Sequence, residues 1–289
     1  MTPEELLGDA FASLKRDYAL YPILGAELEC YLKLEESSAE YLNQFFAPIQ
    51  NKAIATNIPL LRIEKERGEH QYELVLGISK DAQLFATQIH TLRDIVLNHA
   101  QDCQIEASFA AKPYEYSASS GMHIHLHLCN AHGENVMHKT DEYISDELAF
   151  SIGGLCTISP YVMPVLYPNP SSYSRLHEQD HIARYANWGS NNRSCAVRIP
   201  YTQAWEDKRI EWRLPCADAN AIQVLAIMMH AVYSGIKHKM RPRTQTYGLS
   251  DKEEEGVLLP NSLALALDMM DSLPATFKPL SPEILRDWL

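Results

Sequence analysis

The sequence predicts an α+β fold in which a largely antiparallel sheet is flanked by helices. Segments with the two-residue alternation of strands and segments with helical periodicity both occur, without a regular βαβ cadence. The sequence contains no internal repeat and no stretch rich in Gly, Ser or Pro of the kind that marks a linker. We therefore expect residues 1–289 to form a single domain.

The elements follow from the spacing of the apolar residues. The expected helices cover residues 3–17, 38–53, 79–101, 140–158, 217–238 and 260–273. The expected strands cover residues 21–34, 58–66, 70–77, 121–129, 194–199 and 208–214. A turn at Gly68 joins the second and third strands, and Ser79 is a suitable N-cap for the next helix. Prolines between Pro160 and Pro170 predict a loop after the fourth helix.

The composition excludes a disordered chain and disfavours a nucleic-acid binder. The 289 residues include 25 Lys+Arg against 37 Asp+Glu, which gives a formal net charge of −12. Because 46% of the residues are hydrophobic and 21% are charged, the chain can bury a sizeable core. An acidic surface repels polyanions, so we expect no nucleic-acid partner.

The segments that could target or anchor the chain predict a cytoplasmic protein. Residues 1–20 lack the basic start and the continuous apolar run of a signal peptide. The longest apolar stretch, residues 219–236, carries Asn220, Gln223 and His230, so we expect no membrane partner. The six cysteines include no C-x-x-C pair, which is typical of reduced thiols in the cytoplasm.

Two predicted strands carry ionisable side chains on one face. Glu27 and Glu29 alternate with apolar residues, and for this pair alone a solvated face is the better interpretation. His123, His125 and His127 alternate in the same way along residues 121–129. Three imidazoles on one face favour a ligand or catalytic role for at least one of them.

Further charged groups cluster in three segments. Arg209, Glu211 and Arg213 share a strand face, which a ladder of salt bridges explains equally well. Glu66 and Glu73 flank the turn at Gly68, as a charged hairpin tip would. The third set lies in segments rich in Asn, Ser and Pro, where guanidinium groups suit carboxylate or phosphate oxygens: Arg175, Arg193 and Arg198.

Taken together, these groups favour phosphoryl transfer with divalent metal ions. Strand-borne glutamates with a histidine suit Mg²⁺ or Mn²⁺ better than zinc, for which no Cys/His set exists in the sequence. Arginines beside such ions neutralise phosphate charge, and phosphoryl transfer depends mainly on positioning and neutralisation. No Walker loop and no kinase-type glycine-rich loop occurs, so we expect metal ions and arginines to hold the nucleotide.

Seven segments in consistent order resemble the catalytic domain of the glutamine synthetase family. E-L-E at residues 27–29 resembles the family's paired metal glutamates, and ERGEHQYE resembles its E-x-G-x-x-Q-x-E segment. The other five are SSGMHIHLHL, SSYSRL, NWGSNNRSCAVRIP, RIEWRLPCADANA and LPNSLALALDMM. The resemblance implies a glutamine synthetase/guanidino kinase-type catalytic fold, with ATP as substrate and two or more Mg²⁺ or Mn²⁺ ions as cofactors.

The resemblance also implies roles for individual residues. One metal site would comprise Glu29, Glu66 and Glu73, and the second would comprise Glu27, His123 and Glu211. ATP phosphates would be contacted by His125, Arg193, Arg198 and Arg209. The substrate acid would be held by Arg175, Arg213 and Ser119, and catalytic contributions would come from Arg193, His181 and Arg175.

The chain departs from the family pattern around the expected ammonia site. His181 stands where the family has a flap glutamate, and Ala118 and Ser119 stand where it has Asn and Gly. Glu206 occupies a position expected to be basic. About twenty residues precede the first strand, so the family's β-grasp domain is expected to be absent and any homo-oligomer to be smaller than the family's rings.

These features lead to one favoured function and two alternatives. The favoured function is an ATP-dependent carboxylate-amine ligase that uses glutamate or a related acid and an amine that can be larger than ammonia. Six filled ligand positions favour catalysis, since a silent protein does not need six charged groups around metals. The first alternative is a catalytically silent paralogue that binds nucleotide or glutamate and has a regulatory or assembly role. The second is a phosphotransferase, because guanidino kinases share the catalytic fold in outline.

Overall fold

The computed structural model describes residues 1–36, 38–139, 144–177, 181–250 and 256–289. Its α-helices are α1 (Pro3–Tyr18), α2 (Ala39–Ala55), α3 (Ala82–Asp102), α4 (Asp146–Ile158), α5 (Met163–Leu166), α6 (Ala221–Lys237), α7 (Leu263–Met270) and α8 (Pro282–Arg286). Its strands are β1 (Tyr21–Leu32), β2 (Leu60–Lys65), β3 (Gln71–Ser79), β4 (Ala107–Ser108), β5 (Met122–Cys129), β6 (Tyr185–Ala186), β7 (Trp188–Ser190), β8 (Val197–Ile199), β9 (Ile210–Trp212) and β10 (Val257–Leu258).

Eight of these strands form one sheet, which confirms the predicted fold class. The main path runs β2-β3-β1-β5-β9-β8-β7, and β4 pairs with β1 beside it. Every pairing in this sheet is antiparallel except that of β7 with β8. Strands β6 and β10 form a separate antiparallel pair.

The register of the central strands brings the ionisable residues into rows. Glu27 lies opposite His123, and Glu29 lies opposite Glu73. On the other side of β5, His125 lies opposite Glu211 of β9. Opposed residues of an antiparallel pair have Cβ atoms about 4.5–5.5 Å apart. The ladder therefore gathers groups that are up to 184 positions apart in the sequence, such as Glu27 and Glu211.

The opposite face of the sheet is apolar and lies against helices. Ile124, Leu126 and Trp212 alternate with the ionisable residues of β5 and β9, and all three are fully buried. Helices α1 and α3 contact β1, and α4 contacts β8 and β9. Helix α6 packs against α1, α3 and α4 and forms the centre of the helical layer. In the part of the chain that the structure describes, no helix combines the length and apolarity needed to cross a membrane.

Several element boundaries differ from the sequence-based expectation because local hydrogen bonds select the caps. Ser79 is not the N-cap of α3, since it ends β3 and its hydroxyl pairs with the backbone of Asp81. Asp81 caps the helix, and its Oδ1 accepts the backbone N–H of Leu84 at 3.0 Å. Helix α4 begins after the cap at Ser145, and residues 140–143 of the expected helix lie outside the described residues.

The remaining predicted elements are shortened or shifted by turns and caps. Helix α6 begins after Asn220, whose side chain accepts the N–H of Ile222, rather than at residue 217. Strands β8 and β9 contain three residues each. The start of β8 is delayed by a turn in which the Ser194 N–H donates to Asn192 Oδ1. The observed bounds of α1, α2, β1, β2, β3, β5 and α7 differ from expectation by one to three residues at their ends.

Candidate active site

Two groups of possible metal ligands meet on the polar face of β1, β3, β5 and β9. One group consists of Glu27, His123 and Glu211, and the other consists of Glu29, Glu73 and His123. In each group the candidate ligand atoms lie within 4.8 Å of one another. His123 Nδ1 is 3.6 Å from Glu27 Oε2, 3.6 Å from Glu211 Oε1 and 3.9 Å from Glu29 Oε1. His123 therefore occupies the centre of the cluster.

The pKa values of Glu73 and Glu27 are shifted in opposite directions. Burial, together with the negative charges of Glu27 and Glu29, raises the pKa of Glu73 to about 9. Burial also opposes ionisation of Glu27, yet the adjacent His123 and His125 imidazoles hold its pKa below the ordinary value. The cluster therefore concentrates more negative charge than its own imidazoles can neutralise.

The donor set fits divalent cations. Both ring nitrogens of His123 are buried, and neither has a hydrogen-bond partner among the described residues. A buried polar atom without a partner is costly, which favours a ligand that the imidazole can bind. Carboxylate oxygens with one imidazole suit Mg²⁺ or Mn²⁺, which would also relieve the repulsion that raises the pKa of Glu73. Glu27, Glu29, Glu73, His123 and Glu211 would hold such ions.

Glu66 is placed differently from the other five predicted metal ligands. It lines the same cavity, but it belongs to neither of the two ligand groups formed by the described residues. Its carboxylate accepts the backbone N–H of Arg67 at 2.9 Å. The position of Glu66 outside the two ligand groups could not be predicted from the spacing around Gly68, because Glu66 lies one residue beyond the end of β2.

Arginines close the opposite wall of this space, which we call the central cavity. It has a volume of about 260 Å³, and Arg175, Arg193, Arg198 and Arg213 line it together with the glutamates. Glu211 is fully buried between two of them, paired with Arg213 and, at 2.7 Å, with Arg198 Nη1. Despite burial, the Arg213 charge lowers the pKa of Glu211 to about 2.

Arg175 and Arg193 differ in their freedom to meet a substrate. Arg175 is buried, and its Nη1 donates to the carbonyl oxygens of Leu214 at 2.7 Å and Pro215 at 3.1 Å. Its Nε has no hydrogen-bond partner among the described residues. Arg193 is exposed, and its carbonyl oxygen accepts a hydrogen bond from Arg213 Nε at 3.1 Å.

The backbone of the loop before β5 is hydrogen-bonded to the cluster of candidate metal ligands. The N–H of Gly121 donates to Glu29 Oε2 at 2.7 Å. A Cβ at this glycine would lie 2.6 Å from His123 Nε2 and 2.7 Å from Arg175 Nη2. Any other residue here would therefore have to displace the imidazole, the guanidinium or the backbone that passes between them.

Gln71 and Tyr31 hold this loop in place. Both side chains are buried, and neither was among the predicted site residues. Gln71 Nε2 donates to Ser119 O at 3.0 Å and Ser120 Oγ at 3.3 Å, while its Oε1 accepts the N–H of Gly68. The Tyr31 hydroxyl donates to Ala118 O at 2.7 Å. Tyr31 lies on the same strand face as Glu27 and Glu29 of β1, and this two-residue period was the available signal.

A second cavity opens at the end of the sheet where β1 begins and where β3 and β5 end. This strand-end cavity has a volume of about 590 Å³ and shares Glu27 and Arg62 with the central cavity. At its inner end, Arg209 Nε donates to His125 Nδ1 at 3.2 Å, and His125 Nε2 lies 3.1 Å from Glu27 Oε1. Three of the apolar residues in its wall are exposed: Leu61, Ile78 and Tyr201.

His127 and His181 stand at the outer parts of these cavities. His127 lines the strand-end cavity rather than the metal cluster, and burial, with the charge of Arg209, lowers its pKa. His181 lines the central cavity and has a left-handed backbone with φ of 60°. The strand face on which His127 lies was therefore predictable from the sequence, but the cavity that this residue lines was not.

Comparison with solved structures identifies the fold as that of glutamine synthetase-like proteins. A structure described as GmaS in complex with ADP superposes with a TM-score of 0.82 and 21% sequence identity, covering 99% of this chain and 74% of the other. A crystal structure of a novel glutamine synthase homolog superposes with a TM-score of 0.83 at 22% identity, covering 99% and 68%.

The sequence comparison then establishes the family. Residues 15–289 match the family model "Glutamine synthetase, catalytic domain", and the chain therefore belongs to the glutamine synthetase family. It is 29% identical to gamma-glutamylputrescine synthetase PuuA of Escherichia coli, over 89% of this chain and 60% of that protein. It is 31% identical to glutamine synthetase of Pyrococcus horikoshii, over 72% of this chain and 48% of that protein. The chain thus spans about half to three fifths of these relatives.

Proposed function

We propose that this protein is an ATP-dependent carboxylate-amine ligase that makes an amide through an acyl phosphate. The observation that carries this proposal is the position of the metal-ligand cluster between two spaces. On one side lies the strand-end cavity with His125 and Arg209, and on the other lie the Gly121 loop and Arg193. A nucleotide and an acid bound on these two sides would present their reacting groups to the same cluster.

Binding would exploit the charges around each space. Arg209 and His125 suit the phosphates of ATP, and the exposed side chains of Leu61, Ile78 and Tyr201 offer apolar surface for its base. Mg²⁺ or Mn²⁺ held by the cluster would neutralise phosphate oxygens. Arg193 and Arg213 would orient the acid beside the Ser119 backbone.

In the first step, a carboxylate oxygen of the acid attacks the γ-phosphorus of ATP. The bond from that phosphorus to the bridging oxygen breaks, and ADP leaves with its electron pair. Arg193 would stabilise the charge that develops on the transferred phosphoryl oxygens, because its guanidinium is exposed to the central cavity.

In the second step, the amine nitrogen attacks the carbonyl carbon of the acyl phosphate. The carbon–oxygen bond to the phosphate breaks, phosphate leaves, and the nitrogen gives up one proton. His181 would take this proton, because a neutral imidazole is a base near neutral pH and this residue lines the central cavity. The products are the amide, ADP and phosphate.

The names of the relatives support a ligase and leave the amine open. PuuA is a synthetase of gamma-glutamylputrescine, so a related protein joins a glutamyl group to an amine larger than ammonia. The Pyrococcus horikoshii relative is a glutamine synthetase. We favour the larger amine because His181 replaces an anionic flap residue that would attract ammonium.

The test is phosphate release from ATP with Mg²⁺ or Mn²⁺, measured with glutamate alone, amine alone and both together. We expect release to require both substrates and to stop with a chelator, with the amide detected by mass spectrometry. The His181→Glu variant should shift preference toward ammonium. Nucleotide binding without turnover for any acid and amine would contradict the ligase and support the silent paralogue, whereas phosphate transfer to a guanidino compound would support the phosphotransferase.

Three finer properties stay predictions of the sequence. Which of Mg²⁺ and Mn²⁺ supports the reaction is measured by the same assay. A homo-oligomer smaller than the family's rings is tested by light scattering, and a stable decamer or dodecamer would contradict it. The cytoplasmic location is tested by cell fractionation.

A further inference from the structure

A third cavity adjoins the central cavity at residues that do not line the strand-end cavity. This annex has a volume of about 590 Å³ and shares His181, Arg193 and Arg198 with the central cavity. The strand-end cavity instead meets the central cavity at Glu27 and Arg62. The two outer spaces therefore reach the central cavity past different residues.

The walls of the annex are held in place by hydrogen bonds. Asn191 has a left-handed backbone with φ of 50°, and its Oδ1 accepts Arg198 Nη2 at 2.6 Å. Asn192 Nδ2 donates to the carbonyl of Gly248 at 2.7 Å, which ties the wall after residue 245 to the loop after β7. The Ser194 hydroxyl accepts the N–H of Ser250 at 3.0 Å. These bonds join residues 191–194 and residues 248–250 into one wall of the annex.

Two side chains of the annex have no role in the proposed chemistry. The Ser190 hydroxyl is buried, and no hydrogen-bond partner for it exists among the described residues. The Tyr247 ring is 80% exposed although it is aromatic and lines the cavity. A bound molecule with a hydrogen-bonding group and an apolar part would use both features.

We infer that the annex binds the body of the amine substrate, and that this amine is a primary monoamine with a neutral, hydrogen-bonding body. The inference rests on the proposed ligase function. The annex is far larger than ammonia needs, since a water molecule occupies about 30 Å³. Its described lining offers hydroxyl, amide, aromatic and guanidinium groups but no carboxylate. The guanidinium groups of Arg193 and Arg198 in that lining would repel the second ammonium group of a diamine.

The position of the annex also suits the second step. An amine whose body lies beside Tyr247 would reach the central cavity past His181 and Arg193, the residues that the two spaces share. Its nitrogen would then approach the acyl phosphate next to the group proposed to accept the proton. The nucleotide would leave this route open, because its cavity lies beyond Glu27.

The experiment compares amines in the phosphate-release assay with the full chain, glutamate and ATP. The amines are methylamine, ethanolamine, tyramine and putrescine. We expect tyramine or ethanolamine to have the highest kcat/KM. Tyr247→Ala should lower the kcat/KM ratio of tyramine to methylamine about tenfold, and Ser190→Leu, which fills the annex, should lower it further. Methylamine turnover should change less than about twofold in Tyr247→Ala.

Tyr201→Ala is the matched control, because Tyr201 is 77% exposed in the strand-end cavity. It should raise the KM for ATP and leave the ratio between amines unchanged. An unchanged ratio in both annex variants, with methylamine turnover intact, would overturn the annex and leave the ligase standing. A higher kcat/KM for putrescine than for the neutral-bodied amines would overturn the inferred class. No turnover with any amine would instead overturn the ligase itself.

Discussion

The two walls of the central cavity are built in different ways. The metal-ligand wall comes from paired strands, where Glu29, Glu73, His123 and Glu211 are buried and fixed by the ladder. The opposite wall comes mainly from irregular segments around Arg175 and Arg193, although Arg198 lies on β8, and its Arg193 side chain is exposed. Strands give each side chain one position, whereas loops need individual hydrogen bonds to hold theirs. The strand wall therefore suits groups that must stay rigid, and the loop wall suits groups that must contact different substrates.

The largest expected effect is the loss of a charge in the strand wall. Glu211→Gln should lower kcat about 10³-fold, because the carboxylate belongs to a metal-ligand group and neutralises two arginines. Phosphate release and Mn²⁺ titration measure this. Glu106→Gln is the control, since that carboxylate forms an exposed pair with Lys33 at 2.7 Å and should change little. Wild-type Mn²⁺ affinity in Glu211→Gln would contradict its role as a ligand.

The second prediction concerns Arg193, an exposed residue of the loop wall. It separates the effect of this residue on the rate of phosphoryl transfer from its effect on ATP binding. Arg193→Ala should lower kcat about 10²-fold, with a smaller change in the KM for ATP, because the charge that it stabilises develops during transfer. Its melting temperature should stay close to that of the wild type. Steady-state kinetics measure the effect, and Arg16→Ala, an exposed pair with Asp17, is the control. An unchanged rate would exclude Arg193 from the phosphate site.

The third prediction concerns Gln71, which joins the two walls. Gln71→Leu should destabilise the chain by about 1–3 kcal/mol and raise the KM for the acid about tenfold, because the Ser119 backbone loses its support. Urea unfolding and acid titration measure the two effects. Gln88→Leu is the matched control, since Gln88 is also buried and bonds the carbonyl of Asn57 at 2.6 Å in the scaffold. It should lose stability without a change in KM, and an equal KM in both variants would make Gln71 merely structural.

The smallest expected effect concerns the stability of the fold. It depends on His230, an imidazole that lies outside the cluster of candidate metal ligands. His230 is buried between α6 and α1, where its Nε2 lies 2.9 Å from Leu6 O, and burial lowers its pKa. The unfolded chain then binds a proton near pH 6.5 before the folded chain does, so stability falls as the pH drops below that value.

The corresponding measurement is urea unfolding at pH 8, 7, 6 and 5. Below pH 6.5, the free energy of unfolding should fall up to about 1.4 kcal/mol per pH unit more steeply in the wild type than in His230→Gln. Above pH 7.5 the two slopes should agree. Parallel slopes at every pH would contradict the prediction.

The sequence predicted the content of the strand wall better than that of the loop wall. The two-residue period alone places Glu27 and Glu29 on one face and His123 and His125 on another. It does not give the register, so the opposition of His125 and Glu211 emerged only from the folded sheet. The position of Glu66 outside the ligand groups was equally beyond reach, because it depends on the turn rather than on the ladder.

The arginines of the loop wall were predicted from the sequence, but the contacts that hold this wall were not, because many of them are backbone contacts. Arg175 donates to carbonyl oxygens of residues 213–215, and every residue has such an oxygen whatever its type. The same reason hides Gln71, whose partners at Ser119 and Gly68 are main-chain groups. The cap of α3 was wrong for a related reason, since Ser79 and Asp81 are both good caps and only the length of β3 decides between them.

The close fit of Gly121 limits how this site can diverge over time. Every single-base change of a glycine codon that replaces the amino acid adds a Cβ, and here that atom would meet the metal-ligand His123 and the Arg175 guanidinium together. Any such substitution would therefore have to displace at least one of these two side chains or the backbone between them. Ala118 and Ser119, three and two positions earlier, already differ from the family pattern. In a deep mutational scan, we expect position 121 to be less tolerant of substitution than position 118, where Ala118 is only half-buried.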